Sequence, residues 1–344
     1  MDFSDLGHPS QEWLDFIKSN PQAAQDGFTG NDPAHTTELR LASNQARSAT
    51  GAALIAKTGL DQRVAMSTIQ VPSEASYTIP LRIYRPTAPR RNQLNGAVLY
   101  FHGGGFLLGD ENTDDYLCCR VAEETNTAVL SVIYRHTHKY KHPAQVDDAW
   151  RAFEYIRDNA DSIEPAISKS LVVMGISAGC TLAASVILKD LELAKERPDN
   201  RSKISGAVLG IPWLIHIDNY PFDLFTSCEV SAKVQNKDAP VIPAARLELF
   251  SNLLGAVPTE RLLNIPLLSN DELRGWPRTA MLVAGADPLR DDGLIFSKRL
   301  ESLGVDTRTH TYPGLPHGFR RWPQLATTAE FDKDIIESIL WAAR

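Results

Sequence analysis

The chain has 344 residues, 43% hydrophobic and 22% charged, a composition that suits one large α/β domain with an accessory region or two ordinary domains. Its net charge of −7, with no concentrated basic stripe, argues against nucleic acid as a partner. The longest apolar runs, such as SLVVMGI and GAVLGI, are too short to span a bilayer, and the acidic start MDFSDLGHPSQEWLDF lacks the cationic and apolar parts of a secretory signal.

A cytoplasmic protein is therefore expected, and the glycosylation-like triplet Asn200–Ser202 is read as chance. Four cysteines, with Cys118 and Cys119 adjacent, form neither a disulfide framework nor a zinc spacing. They are expected as small buried or half-buried thiols.

Residues 1–60 carry helical spacing at Trp13, Phe16 and Ile17, then at Leu39, Leu41, Ala52 and Leu54, with a loop over 20–33. They are read as mobile helices outside the main core. From about residue 64, AMSTIQVP and YTIPLRIYRP predict two strands joined by a turn over Ser73–Ser76. Strands and helices then alternate. GAVLYFHGGG is a strand, TDDYLCCRVAEET a helix, TAVLSVIYR a strand, and PAQVDDAWRAFEYIRDNA a helix opened by Pro143. SLVVMGIS is a strand running into the helix AGCTLAASVILKDLELAKE. ISGAVLGIPW and TAMLVAGAD are strands separated by a long insertion, DDGLIFSKRLESLG is a helix stopped by Gly304, DTRTHTYPG is a strand, and a last helix starts near Thr327. This alternation predicts an α/β fold: a mostly parallel twisted sheet with helices on both faces. A long insertion without structure is improbable in such a domain, so residues 213–265 are read as a cap or lid. Its aromatic and leucine-rich content, including Trp213, Tyr220, Phe225 and Phe250, favours apolar small molecules as ligands.

The chemistry concentrates at strand ends. GISAGC, residues 175–180, places Ser177 on a strand-to-helix turn, where Gly175 and Gly179 leave room for a sharp, strained backbone. A serine hydroxyl is barely ionised at neutral pH and needs a base. His317, in the turn-rich YPGLPHGF just past the last strand, suits that role. Asp287 heads the loop after TAMLVAGA and can fix the tautomer of that histidine, whereas Asp291 and Asp292 open the next helix, where carboxylates are common as caps. In HGGGF the N–H groups of Gly103 and Gly104, with that of Ala178, can donate to an oxyanion. No GK[ST] and no GxGxxG accompanies those glycines, so phosphate cradling is the weaker reading.

With YFHGGGF, GISAG, VAGADPLRDDG and PGLPHGF in this order, the chain from about residue 64 to its end resembles the hormone-sensitive-lipase-like carboxylesterase branch of the α/β-hydrolases. The resemblance implies one α/β-hydrolase domain over 1–344, capped by helices from 1–60 and by the insertion at 213–265. It implies a serine esterase acting on small to medium apolar acyl esters, with no metal and no organic cofactor. Ser177, Asp287 and His317 would be the catalytic residues, Gly103, Gly104 and Ala178 the oxyanion donors, and two copies of the chain would be able to pair. Three positions depart from the family pattern: Ile176 replaces an acidic residue or threonine, Cys180 replaces a glycine, and HTHKYKHPA follows YR where the family has leucine–alanine–proline–glutamate.

Phe106, Ile176, Cys180 and Trp213 are the expected substrate-binding positions. The histidines 136, 138 and 142 are expected to pack or face solvent rather than bind a metal, since no carboxylate or cysteine completes a ligand set. Two further readings stay open at this stage. One is a biosynthetic thioesterase or cyclase releasing a polyketide-like chain with the same residues; the other is a small-ligand receptor on this scaffold, against which the presence of His317 counts.

Overall fold

In the computed structural model, which describes residues 1–24, 35–73, 77–90, 93–196 and 202–344, eight strands make one sheet. They are β1 (Val64–Pro72), β2 (Thr78–Pro86), β3 (Ala97–Phe101), β4 (Ala128–Val132), β5 (Leu171–Ile176), β6 (Ile204–Gly210), β7 (Arg278–Ala284) and β8 (Thr307–Tyr312). Their spatial order is β1-β2-β4-β3-β5-β6-β7-β8. β1 and β2 pair antiparallel from Val64 opposite Pro86 to Pro72 opposite Thr78, and β2 pairs antiparallel with β4. Every remaining pair is parallel, as the helical crossovers between strands require. The turn expected over Ser73–Ser76, most of the loop over 20–33 and the triplet at Asn200 lie partly or wholly outside the described residues.

The helices are α1 (Gln11–Ser19), α2 (Thr36–Thr58), α3 (Leu60–Arg63), α4 (Asp115–Thr125), α5 (Ala144–Asp158), α6 (Ala160–Ile163), α7 (Ala178–Glu196), α8 (Ala232–Gln235), α9 (Ala244–Leu254), α10 (Arg290–Ser302) and α11 (Ala326–Ala342). Side chains alternate along each strand and so divide the core in two. Leu99, Leu130, Val173 and Leu209 bury one face against Phe153 of α5 and Leu182 of α7. Val98, Val129, Val172 and Val208 bury the other against Val121 of α4 and Ile335 of α11. Each fully buried Val or Leu contributes roughly 1.5–3 kcal/mol. The end of β4 is pinned by Arg135, whose N–H and guanidinium both donate to the fully buried carboxylate of Asp148. A charge so deep is stable only with such bonds made.

The N-terminal helices differ from their expected placement. Trp13 of α1 is buried with its ring centroid 5.1 Å from that of Trp322, so α1 joins the core on the α11 side. On α2 the inward positions are Thr36, Asn44, Gly51 and Ile55, while Leu41 is 65% exposed. The inward Asn44 is held by paired hydrogen bonds to the backbone of Gly109 (N–H to Oδ1 2.8 Å, Nδ2 to O 3.0 Å), which offset the cost of burying its amide. Cys118, Cys119 and Cys180 are buried as expected, whereas Cys228 is exposed, and all four are free thiols.

Candidate active site

β5 ends in a backbone that only a tight elbow tolerates. Ser177 has φ 53°, a left-handed value that costs a non-glycine residue about 1–2 kcal/mol. Hydrogen bonds hold it there. Its N–H donates to Gly210 O (2.8 Å), and its carbonyl accepts from Cys180 N (2.9 Å) and Trp213 N (3.2 Å). The flanking glycines are steric necessities: a Cβ on Gly175 would stand 2.4 Å from Gly179 O, and one on Gly179 would stand 2.1 Å from Phe101 O.

The Ser177 hydroxyl oxygen lies 3.0 Å from His317 Nε2, and His317 Nδ1 lies 2.6 Å from Asp287 Oδ2. The other carboxylate oxygen, Oδ1, accepts the Leu289 N–H at 2.8 Å. An ionised carboxylate only accepts, so the proton sits on Nδ1 and leaves the Nε2 lone pair facing the serine hydroxyl. All three residues are buried, with exposures of 4% for Ser177, 6% for His317 and 1% for Asp287. They come from three strand ends, and the last two loops are joined directly by Gly285 N to Tyr312 O (2.9 Å) and Ala286 N to Leu315 O (3.0 Å).

The glycine loop after β3 abuts this group. A Cβ on Gly103 would stand 2.8 Å from Ile176 O and 3.2 Å from Ser177 Cβ, so only glycine allows the loop so near the hydroxyl. Gly104 and Gly105 have φ 132° and 60°, and the Gly104 carbonyl accepts from Leu107 and Leu108 N–H at 3.1 and 2.8 Å, which closes the loop into a turn. Ala178 is the first residue of α7, where backbone N–H groups have no partner within the helix.

Of the four expected substrate-binding residues, Phe106 and Trp213 face each other with ring centroids 5.6 Å apart. The half-buried Ile176 packs under the glycine loop, its Cγ2 toward Gly103 and its Cδ1 toward Gly210. Cys180 is fully buried behind the elbow, its thiol 3.4 Å from Gly210 O, and burial pushes that thiol well above its ordinary value. It is therefore neither an exposed wall nor an activated thiolate. Of the histidines after YR, His136 and His138 are neighbours with ring centroids 6.5 Å apart, while His142 turns to a different partner. His136 joins a ring column with His102 (5.3 Å) and Tyr134 (5.1 Å), while His142 Nε2 is 3.5 Å from Glu260. Burial lowers His102 to about 4 and His136 well below the usual range, so this column is uncharged at neutral pH. Two residues that brace this region carried no sequence signal: Asn44 of α2, bonded to the Gly109 backbone downstream of the glycine loop, and Asn236, whose Nδ2 donates to Asp287 O at 3.0 Å.

An eight-stranded, mostly parallel sheet bearing a strained serine at the end of a central strand defines an esterase-type α/β hydrolase. The α/β hydrolase fold family profile matches residues 98–321, and the chain belongs to that family, in its hormone-sensitive-lipase-like carboxylesterase branch. It is 28% identical over 300 residues to an ethyl acetate hydrolase of Pseudomonas putida, covering 87% of this chain and 88% of the relative. It is 29% identical over 240 residues to a versiconal hemiacetal acetate esterase of Dothistroma septosporum, covering 70% and 71%. A solved vibralactone cyclase shares the fold with a TM-score of 0.84 at 22% identity, over 98% of this chain and 96% of that one. Among the described residues no helix is long and apolar enough to cross a membrane.

Proposed function

We propose that the chain hydrolyses carboxylic esters of small to medium apolar acyl groups through an acyl-enzyme on Ser177. The observation that carries this reading is the hydrogen-bonded series from Ser177 Oγ through His317 to Asp287, at 3.0 and 2.6 Å. Ser177 Oγ attacks the ester carbonyl carbon as its proton passes to His317 Nε2, and Asp287 stabilises the imidazolium. The carbonyl oxygen takes the negative charge and accepts from the N–H groups of Gly103, Gly104 and Ala178, each donor lowering the barrier by roughly 3–4 kcal/mol. Collapse breaks the C–O bond to the leaving alcohol, which takes the proton from His317. Water then attacks the acyl-enzyme, gives one proton to His317, and the serine regains it as the acid departs.

Taken as one side of the acyl site, the buried and mutually packed rings of Phe106 and Trp213 support an apolar acyl group. Two relatives are named for acetate esters, which supports a short one. Residues 1–60 and 213–265 act in this reading as the cap over the acyl site. Ser177→Ala tests it: turnover of short-chain esters and labelling by a fluorophosphonate are both expected to vanish while the fold is retained. Undiminished turnover in the folded variant overturns the assignment.

A further inference from the structure

The turn that carries Asp287 is held from outside by the insertion between β6 and β7. Asn236, the residue after α8, is buried, and its Nδ2 donates to the carbonyl oxygens of Asp287 at 3.0 Å and Gly285 at 3.3 Å. An amide nitrogen carries two N–H donors, so one side chain reaches both carbonyls, and the Asp287 carbonyl accepts the Arg290 N–H at 3.0 Å as well. Those carbonyls bracket the turn by which the chain leaves β7.

α8 is in turn tied to α10. Asp291 Oδ2 accepts the Ala232 N–H at 2.6 Å and the Tyr220 hydroxyl at 2.5 Å. Arg290 donates through Nε to Asp291 Oδ1 (2.8 Å), through Nη1 to Gln235 Oε1 (2.5 Å) and through Nη2 to Val230 O (3.0 Å). Arg290 and Asp291 are fully buried, so their charges are stable only while these bonds are made. Loop, α10 and α8 thus close a ring of hydrogen bonds around the backbone of Asp287.

We propose that Asn236 is a positioning residue for Asp287, fixing the direction of its carboxylate toward His317, and that Arg290 and Asp291 hold Asn236 in place through α8. This rests on the reading of Ser177, His317 and Asp287 as the reacting group and extends it to an insertion residue that touches no substrate. Removing an orienting acid outright costs about 10⁴-fold in a serine hydrolase. Loosening one is expected to cost a part of that, about 10- to 100-fold.

The test uses full-length Asn236→Leu, close in volume but without donors, and Asn236→Ala. kcat for a short acyl p-nitrophenyl ester is normalised to the serine titrated by a fluorophosphonate, and kcat/KM is followed against pH. We expect kcat per labelled serine to fall about 10- to 100-fold with KM within about twofold. The acidic limb of kcat/KM should move to lower pH, because the imidazolium loses an aligned carboxylate. A merely structural role would lower the melting temperature and the labelled fraction, yet leave kcat per labelled serine and the limb unmoved; that result overturns the proposal. Tyr220→Phe, which loosens α8 without touching Asn236, keeps the test decisive if both variants are unstable. It should lower the same kcat about threefold, and an unchanged value overturns the proposal. Wild-type protein unlabelled at Ser177 would instead overturn the underlying reading.

Discussion

His216 makes a second Ser/His/Asp grouping with Ser251 and Asp218, and the position of one proton separates it from the first. His216 Nδ1 accepts the Asp218 N–H at 3.2 Å, which leaves the ring proton on Nε2, 3.2 Å from Ser251 Oγ. His216 therefore donates to Ser251 and has no lone pair to take its proton, while His317 presents the opposite tautomer to Ser177. Ser251→Ala should leave fluorophosphonate labelling at Ser177 intact and cost about 1–3 kcal/mol of stability, because a buried imidazole N–H loses its acceptor. Mass spectrometry of the labelled peptide and chemical denaturation check this; loss of the Ser177 label would contradict it. Cys180 invites a similar test. Its thiol packs behind the elbow, so Cys180→Gly should keep the label and lose about 1–3 kcal/mol through the lost packing and a glycine in the first turn of α7. Ile176→Asp, which alters the packing beneath the glycine loop, should shift relative rates between acyl esters while labelling persists.

α10 begins with acidic residues that helix-cap reasoning places at a solvated end, yet Asp291 and Asp292 are fully buried. Asp292 Oδ2 accepts the N–H groups of Leu214 (2.9 Å) and Ile215 (3.0 Å), while its Oδ1 has no hydrogen-bond partner among the described residues. Burial outweighs these bonds and the Lys233 charge, raising the carboxyl from 3.8 to about 7. The native state then keeps a proton that the unfolded chain releases, so this group's contribution to stability falls as pH rises from about 4 to about 7 and levels off above. Asp292→Asn should flatten that slope by roughly 2–4 kcal/mol across the window, measured by urea unfolding at stepped pH. An unchanged slope would show that the carboxyl titrates alike in both states. The same contrast marks what the sequence made legible. Ser177, Asp287 and His317 stood out because each sits in a local pattern of glycines or prolines at a strand end, and the central strands β3–β7 stood out because both faces are apolar. The buried cross-linking role of Asp291 and Asp292, which local pattern reads as capping, and the inward side of α2 could not be read locally. Their partners come from remote elements: Leu214 is 78 residues from Asp292, and Gly109 is 65 from Asn44.

Across the molecule, the two loops that serve His317 meet a third segment that pattern reading set aside as peripheral. Leu6 O accepts the Gly314 N–H at 2.8 Å, and Ser10 N donates to Gly314 O at 3.3 Å. Gln235 Nε2 reaches Ser4 O at 2.8 Å, so residues 4–10 touch the His317 loop and α8 together. They also press on the Asp287 loop: a Cβ on Gly285 would stand 2.0 Å from Leu6 O, a backbone atom that cannot rotate away. Gly285→Ala must therefore displace either the N-terminal segment or the turn bearing Asp287. Overpacking of this kind costs about 1–3 kcal/mol, and a turn shifted by 1 Å is enough to cost about 100-fold in rate. We expect kcat to fall more than about tenfold and the first ten residues to become susceptible to limited proteolysis. Gly304→Ala is the matched control. It has φ 75° with nothing within 4 Å of the added methyl, so it should cost only the left-handed backbone penalty of about 1–2 kcal/mol and leave kcat unchanged. Equal kcat values in the two variants would mean that the N-terminal contact packs against the loops without setting the direction of Asp287.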